Sequence, residues 1–286
     1  MDIRFNVSPA KRFLFFFCAA FLCMLVGSVI VAIIMHGGST APRLRCATVV
    51  QDIVMFILPA VMTAVVVTRR PADFLMMRKA PVSAYPLAIA ILLAAVPAMN
   101  AIIAWNEALT LPASMAGVEQ WMRAAESQAA GAINTLMGGT GIGSLIVILL
   151  IAGILAGFSE ELFFRGTLQR LIATSGAGVH VAVWCTAVVF SAVHMQFFGF
   201  FPRLLLGAYF GYVVIWTGSL WPAVWAHVLN NSLAVCSLWL EARGGMFLGS
   251  LPGFNESNLS PVSAVVSFLC TAALLFLTFR ICRRRQ

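Results

Sequence analysis

Three polar clusters lie inside apolar runs of this 286-residue chain, and their spacing suits acid–base chemistry. The first is Glu160-Glu161-Leu162-Phe163-Phe164-Arg165, directly after the apolar run Ile142–Phe158. On a helix, Glu161 and Arg165 stand at i and i+4 and can pair on one face. Glu160 is turned about 100° away and lacks such a local partner. That split predicts two roles, with Glu161 held by Arg165 and Glu160 free for chemistry. The second cluster is Phe190-Ser191-Ala192-Val193-His194, in which Phe190 and His194 share a helix face. The third is His227-Val228-Leu229-Asn230-Asn231, which points His227 and Asn231 into one groove and turns Asn230 aside.

Each cluster alone has a plain structural explanation. The acids could mark an interfacial helix end, His194 could be a satisfied polar residue, and His227 with Asn231 could be an interhelical hydrogen-bonded pair. Together they converge on one chemistry. A Glu and a His can activate water, one as general base and the other as its proton partner. A second His with an Asn can donate hydrogen bonds to a developing oxyanion. The sum is hydrolysis of an amide at membrane depth, where an unpartnered charge costs about 2.5–3.5 kcal/mol on insertion scales. Asp52, beside Gln51, reads as a polar contact between helices and is left out of the site. His36 and His180 read as loop residues.

The elements that hold these groups follow from composition. The chain is 61% hydrophobic and 10% charged, against about 25% charged residues in a soluble domain. A water-soluble fold could not hide so much apolar surface. Backbone groups in lipid must be satisfied internally, which leaves helices as the reading of the long apolar runs. The expected fold is an all-α polytopic membrane protein with about eight transmembrane helices, its catalytic bundle in the C-terminal half. The predicted spans are 12–35, 46–68, 82–105, 142–170, 178–197, 202–218, 221–241 and 261–281, within a single domain over 1–286. The first run, after Lys11-Arg12, is too long for a signal-peptide core and reads as a retained span. Residues 113–137 carry Glu119, Arg123 and Glu126 among Trp121, Met122 and Leu136, a pattern for either a mildly amphipathic helix on the membrane surface or a plain helix of a surface loop. The seven cysteines form no CxxC pair, so neither a disulfide framework nor structural zinc is expected. Gly153-x-x-x-Gly157 and Gly207-x-x-x-Gly211 permit close packing, either within the chain or between copies.

The net charge of +8 does not imply nucleic acid, because the bases fall at the ends of apolar runs. Arg4, Lys11, Arg12, Arg69, Arg70, Arg78, Lys79, Arg170, Arg280, Arg283, Arg284 and Arg285 share one side if eight spans place both termini in the cytoplasm. Glu107, Glu119, Glu126, Glu241 and Glu256 fall opposite. Arg43, Arg45 and Arg203 dissent. The expected location is the cell (inner) membrane, multi-pass. By helix rise, Glu160 lies ~15 Å from the inside end of its helix, His194 ~24 Å and His227 only ~9 Å. The site therefore requires tilted helices or shifted boundaries.

The order EExxxR, FxxxH, HxxxN resembles the CAAX protease and bacteriocin-processing family of intramembrane proteases, over about residues 142–241. The resemblance implies an eight-helix endopeptidase of the glutamic type. It places Glu160 as general base, His194 as its assistant, and His227 and Asn231 as the oxyanion hole, with Glu161 and Arg165 in support. No cofactor is expected, although two His and a carboxylate are also a catalytic zinc set, which keeps a zinc-dependent version open. The implied partners are the lipid bilayer and a membrane-associated peptide or protein tail. Eukaryotic members act on prenylated CAAX tails and bacterial members are associated with bacteriocin maturation, self-immunity or sorting-signal processing. The alternatives are a non-catalytic immunity or scaffold protein on the same fold, and a transporter that uses Glu160 and the histidines as a proton relay.

Overall fold

The computed structural model describes residues 8–245 and 259–283. Arg4, Glu256, Arg284 and Arg285 lie outside the described residues, as do the side chains of Cys282 and Arg283. Among the described residues there are helices and no strands. The principal ones are α1 (Pro9–Met35), α2 (Ala41–Val67), α3 (Ala84–Glu107), α4 (Ala116–Met137), α5 (Ile142–Ala173), α6 (Val179–Ala192), α7 (Phe200–Thr217), α8 (Trp221–Glu241) and α9 (Pro261–Arg283). All but α4 and α6 have the length and apolar character to cross a membrane, which gives seven spans among the described residues. The packing suits a lipid solvent. α1 buries the stripe Phe16, Ala19, Cys23 and Gly27 and exposes Phe17, Phe21, Leu22 and Ile33. In water those exposed side chains would be costly; in lipid tails they are not.

The fifth predicted span, 178–197, is a correction. Helix α6 has 14 residues, about 21 Å of rise against a hydrocarbon core of about 30 Å. It stops because the chain turns at 193–199. Met195 takes a left-handed φ of 54°, and Gln196 leads into a 3-10 turn at Phe197–Gly199. The turn is tied down from three sides. Ser191 Oγ donates to the Phe200 carbonyl at 2.7 Å, and Glu126 Oε1 accepts from the Phe198 N–H at 2.8 Å. Asn106, buried on α3, donates to the Phe197 carbonyl and accepts from the Phe201 N–H.

Helix α4 occupies the predicted amphipathic segment and buries none of its residues. It is held through its polar face and two rings. Glu119 accepts from the Leu111 N–H at 2.9 Å and pairs with Arg123 at 2.7 Å. Arg123 lies over the Phe198 ring and Trp121 meets Phe197. The dissenting arginines are engaged locally. Arg45 closes the C-terminus of α4 by donating to the Leu136 and Met137 carbonyls, a favourable place for a cation. Arg203 donates to Gln196, and Arg43 to the Gly38 carbonyl.

The glycine pairs pack within the chain. A Cβ on Gly157 would stand 3.1 Å from the Val228 backbone nitrogen, and one on Gly153 would meet Ser232 Oγ at 2.8 Å, so both let α5 touch α8. A Cβ on Gly207 would meet Phe190 and Ala187 of α6. In α3, Pro97 interrupts the ladder, and Ser267 of α9 enters the gap. Its Oγ accepts from the Ala98 N–H at 3.0 Å and donates to the Ala94 carbonyl at 2.5 Å.

Three stretches widen into π-helix, Gln51–Ile57 in α2 and Leu149–Leu155 and Leu162–Gln169 in α5. Such windings are often found at functional sites. Here each supplies a residue to the acid–histidine cluster or its immediate support. The first carries Asp52, the second the carbonyl that holds Asn231, and the third Arg165.

Candidate active site

Arg165 and Glu161 form the base of the cluster. Arg165 Nη1 donates to Glu161 Oε1 at 2.6 Å, and both side chains are fully buried. The i, i+4 pairing expected from the sequence is present. Arg165 Nη2 continues to the Gly207 carbonyl at 2.9 Å, and Gln169, one turn on, donates to the Gly211 carbonyl at 3.1 Å. Two polar side chains of α5 thus reach two backbone carbonyls of α7, made accessible by the absence of a Cβ at both glycines. The guanidinium also lies 4.4 Å from the centre of the Phe190 ring and 5.5 Å from that of Phe210, so aromatic rings flank it while Nη1 and Nη2 are bonded.

His227 meets both acids. Its Nδ1 is 2.9 Å from Glu161 Oε1, and its Nε2 is 3.7 Å from Glu160 Oε2. Glu161, already bound to Arg165, is an acceptor, so the proton in the Nδ1 contact belongs to the ring. That fixes the ring's orientation and turns Nε2 toward Glu160, where it donates when the ring is protonated. Phe210 stacks on the imidazole at 4.8 Å, and Phe190 meets its edge at 5.8 Å. Glu160 is the more open acid, with its side chain 15% exposed against 0% for Glu161.

His194 stands in the turn after α6. Its Nδ1 donates to the Phe190 carbonyl at 2.7 Å, which leaves Nε2 with a free lone pair in the neutral ring. The Phe190 ring contacts both histidine rings, His194 at 5.1 Å and His227 at 5.8 Å. His194 is within Coulombic range of both Glu160 and His227. Asn231 Nδ2 donates to the Ala152 carbonyl at 3.1 Å, and its Oδ1 accepts from Asn230 at 3.3 Å. The amide has two N–H bonds, so one remains for a ligand. Asn230, set aside by the sequence reading, orients Asn231.

The depth mismatch resolves at the start of α8. The turn before it is buried under the segment that follows α2. Ser219 Oγ donates to the Arg78 carbonyl at 2.5 Å, and the Leu220 N–H to the Met76 carbonyl at 2.8 Å. Ser219 and Leu220 are 0% and 1% exposed. Helix α8 therefore begins inside the protein rather than at its surface, so counting residues from its start understates how deep His227 lies, and His227 meets Glu160 at 3.7 Å. A concavity of about 450 Å³ at Val65, Thr68, Arg69 and Pro71 shares no residue with the acid–histidine cluster.

Two residues placed outside the site by the sequence lie close to it. Phe190 is the spacer between both histidines and the arginine; its i, i+4 relation to His194 was the available signal. Asp52 makes the polar contact between helices expected of it, from α2 to Ser159 of α5 at 3.1 Å, and nothing in its local sequence marks that this contact adjoins Glu160.

Residues 142–233 match the model of a known protein family. The match is to the Rce1-like family, the type II CAAX prenyl endopeptidases. It contains all three boxes, so the resemblance drawn from Glu160–Arg165, Phe190–His194 and His227–Asn231 is the one the family match finds. Two curated relatives agree in part. The chain is 26% identical over 92 residues to an uncharacterised protein of Bacillus subtilis, YpbD, covering 31% of this chain and 44% of the relative. It is 27% identical over 124 residues to CAAX prenyl protease 2 of Arabidopsis thaliana, covering 35% of this chain and 40% of the relative. The chain thus spans less than half the length of the curated relatives it matches. No solved structure matches it.

Proposed function

We propose that this protein is an intramembrane endopeptidase of the glutamic type that cleaves a membrane-associated peptide or protein tail. One observation carries the reading. Glu160, the more open acid, faces His227 Nε2 at 3.7 Å, while the buried Glu161–Arg165 pair grips the opposite side of that ring. Family membership of the 142–233 segment supports the reaction class.

In the proposed reaction Glu160 takes a proton from water as the water oxygen bonds to the scissile carbonyl carbon. The carbonyl π electrons move to oxygen, and the resulting oxyanion is held by Nε2–H of His227 in its imidazolium form, whose Nδ1–H is bound to Glu161, and by the free N–H of Asn231. On collapse the C–N bond breaks, and the proton on Glu160 passes to the leaving amine, with His194 assisting the transfer. Glu161 and Arg165 act only through His227. Both termini would face the cytoplasm, with the protein in the cell membrane.

The test uses the purified chain in liposomes and a synthetic Cys-a-a-X tail peptide, offered with and without a prenyl group on its cysteine. Glu160→Gln and His194→Ala should each lower cleavage by at least roughly 10²-fold, the scale of general acid–base catalysis, with unchanged thermal midpoints in detergent. Full activity in both variants would refute the reading. Cleavage that persists in a strong chelator supports the glutamic mechanism; cleavage lost there and restored by zinc supports the metal version.

A further inference from the structure

Asp52 is a buried acid outside the three boxes and outside the family match, which begins at residue 142. It is 2% exposed, in the π-helical stretch of α2, against the turn of α5 that carries Glu160. Ser159 Oγ lies 3.1 Å from Asp52 Oδ1 and also 3.1 Å from the Ala156 carbonyl oxygen. A serine hydroxyl has one proton, and a backbone carbonyl only accepts. An ionised Asp52 would only accept as well, so two acceptors would compete for one proton. A carboxylic acid removes the conflict. Asp52 O–H then donates to Ser159 Oγ, and the Ser159 hydroxyl donates to Ala156.

Two further observations agree. Asp52 Oδ2 is buried without a hydrogen-bond partner among the described residues. That is far costlier for a carboxylate oxygen than for the carbonyl oxygen of a neutral acid. Charge counting gives the same answer. The π-stretch of Asp52 packs on α1 and on the 156–161 and 162–169 stretches of α5. Of the charged side chains on those stretches of α5, Glu160 acts on Asp52, while Glu161 and Arg165 are bound to each other. The cations of α1, Lys11 and Arg12, lie about four turns from Gly27, the residue that faces Val54 and Met55. Arg203 acts on Glu126 and Glu160, so even with His227 fully charged, Arg165, His227 and Arg203 balance only Glu160, Glu161 and Glu126. A further negative charge at Asp52 would have no counterpart among the described residues and would sit beside a like charge.

We propose that Asp52 is a positioning residue, a neutral carboxyl that donates to Ser159, locks the Ser159–Glu160–Glu161 turn, and leaves Glu160 as the ionised acid. The consequence for catalysis rests on the glutamic-protease reading; the protonation state does not.

The test separates the two. The chain has three aspartates, Asp2, Asp52 and Asp73, and Asp73 is exposed and paired with Arg78 at 3.0 Å. Full-length protein labelled with carboxyl-13C aspartate is examined by infrared spectroscopy in lipid nanodiscs at neutral pH. We expect the isotope-shifted C=O stretch of one protonated carboxylic acid, retained in Glu160→Gln and lost in Asp52→Asn. Absence of that band, or its survival in Asp52→Asn, would overturn the proposal, and the wild-type result needs no variant to fold. Asp52→Asn, which can still donate to Ser159, should keep the thermal midpoint that Asp52→Leu lowers. With the tail peptide as probe, the acid limb of the kcat/KM profile should be unchanged in Asp52→Asn. A shift of that limb to lower pH would mean that a negative charge beside Glu160 had been removed, and would also overturn it. If wild type cleaves nothing, the protease reading is what fails, and the infrared result stands.

Discussion

At the scale of single residues, the two adjacent glutamates differ by what surrounds them. Glu161 is buried and bonded through Oε1 to both Arg165 and His227, and Glu160 faces a ring nitrogen from a more open position. Removing one member of a buried ion pair typically costs 3–5 kcal/mol because it strands the other charge. Arg165→Met should therefore destabilise the protein by roughly that amount, read as a large fall in thermal midpoint in detergent, whereas Glu160→Gln should leave the midpoint in place. Equal falls would contradict the division of roles. This division was legible in the sequence because it depends on i, i+4 spacing, a local quantity. The bonds from His227 to Glu161, across 66 residues, and from Ser159 to Asp52, across 107, were not. They depend on how helices dock, and a lone acid in an apolar run carries no mark of its partner.

At the scale of elements, His194 owes its position to a turn held by other helices. Glu126 of α4 and Asn106 of α3 bond the backbone at 197–201, just after the histidine. Glu126→Ala should reduce cleavage by roughly tenfold or more, since misplacing a catalytic group by about 1 Å can cost 10²-fold. The thermal midpoint should barely move, because Glu126 is on a surface helix with no buried residue. Amide hydrogen exchange at Phe198 would show the released N–H. Further along α4, the Leu111 N–H, and after it Arg123, hold the Glu119 carboxyl below the usual carboxylate range. A lowered folded value means that this tie is intact above the ordinary carboxylate pKa and is lost as pH falls through the lowered one. The protection of the Leu111 amide, its exchange measured relative to the intrinsic rate at each pH, should therefore be high at neutral pH and fall only in acid, and Glu119→Gln should abolish that pH step. On α5, Gly157→Ala would press a Cβ against the α8 backbone, and overpacking of this kind costs about 1–3 kcal/mol. The glycine spacing was visible in the sequence, but its neighbour was not. The π-stretches were invisible, since each reads as an ordinary apolar helix and is set by tertiary docking.

At the scale of the whole molecule, the open quantity is how many times the chain crosses. The spans other than the fifth were legible because twenty apolar residues leave few choices in lipid. The fifth differs in its helical extent, because apolar residues continue past Ala192 while the backbone does not continue as helix. Helix α6 alone, at about 21 Å, falls short of a full crossing. It runs on into the pinned turn 193–199, however, which takes the chain directly into α7, packed antiparallel beside it. If α6 and this turn together traverse the membrane, as the alternation of basic and acidic ends requires, there are eight crossings and both termini share a side. If α6 is re-entrant and returns to its own side, the number becomes odd and the termini part. Reporter fusions at residue 1 and residue 286, paired with labelling of single cysteines placed at Lys79 and Glu119, distinguish the two. We expect both termini and position 79 on the cytoplasmic side and position 119 opposite. Termini on opposite sides would leave the acid–histidine contacts unchanged, but would make α6 a half-crossing and open the site toward the other face of the membrane.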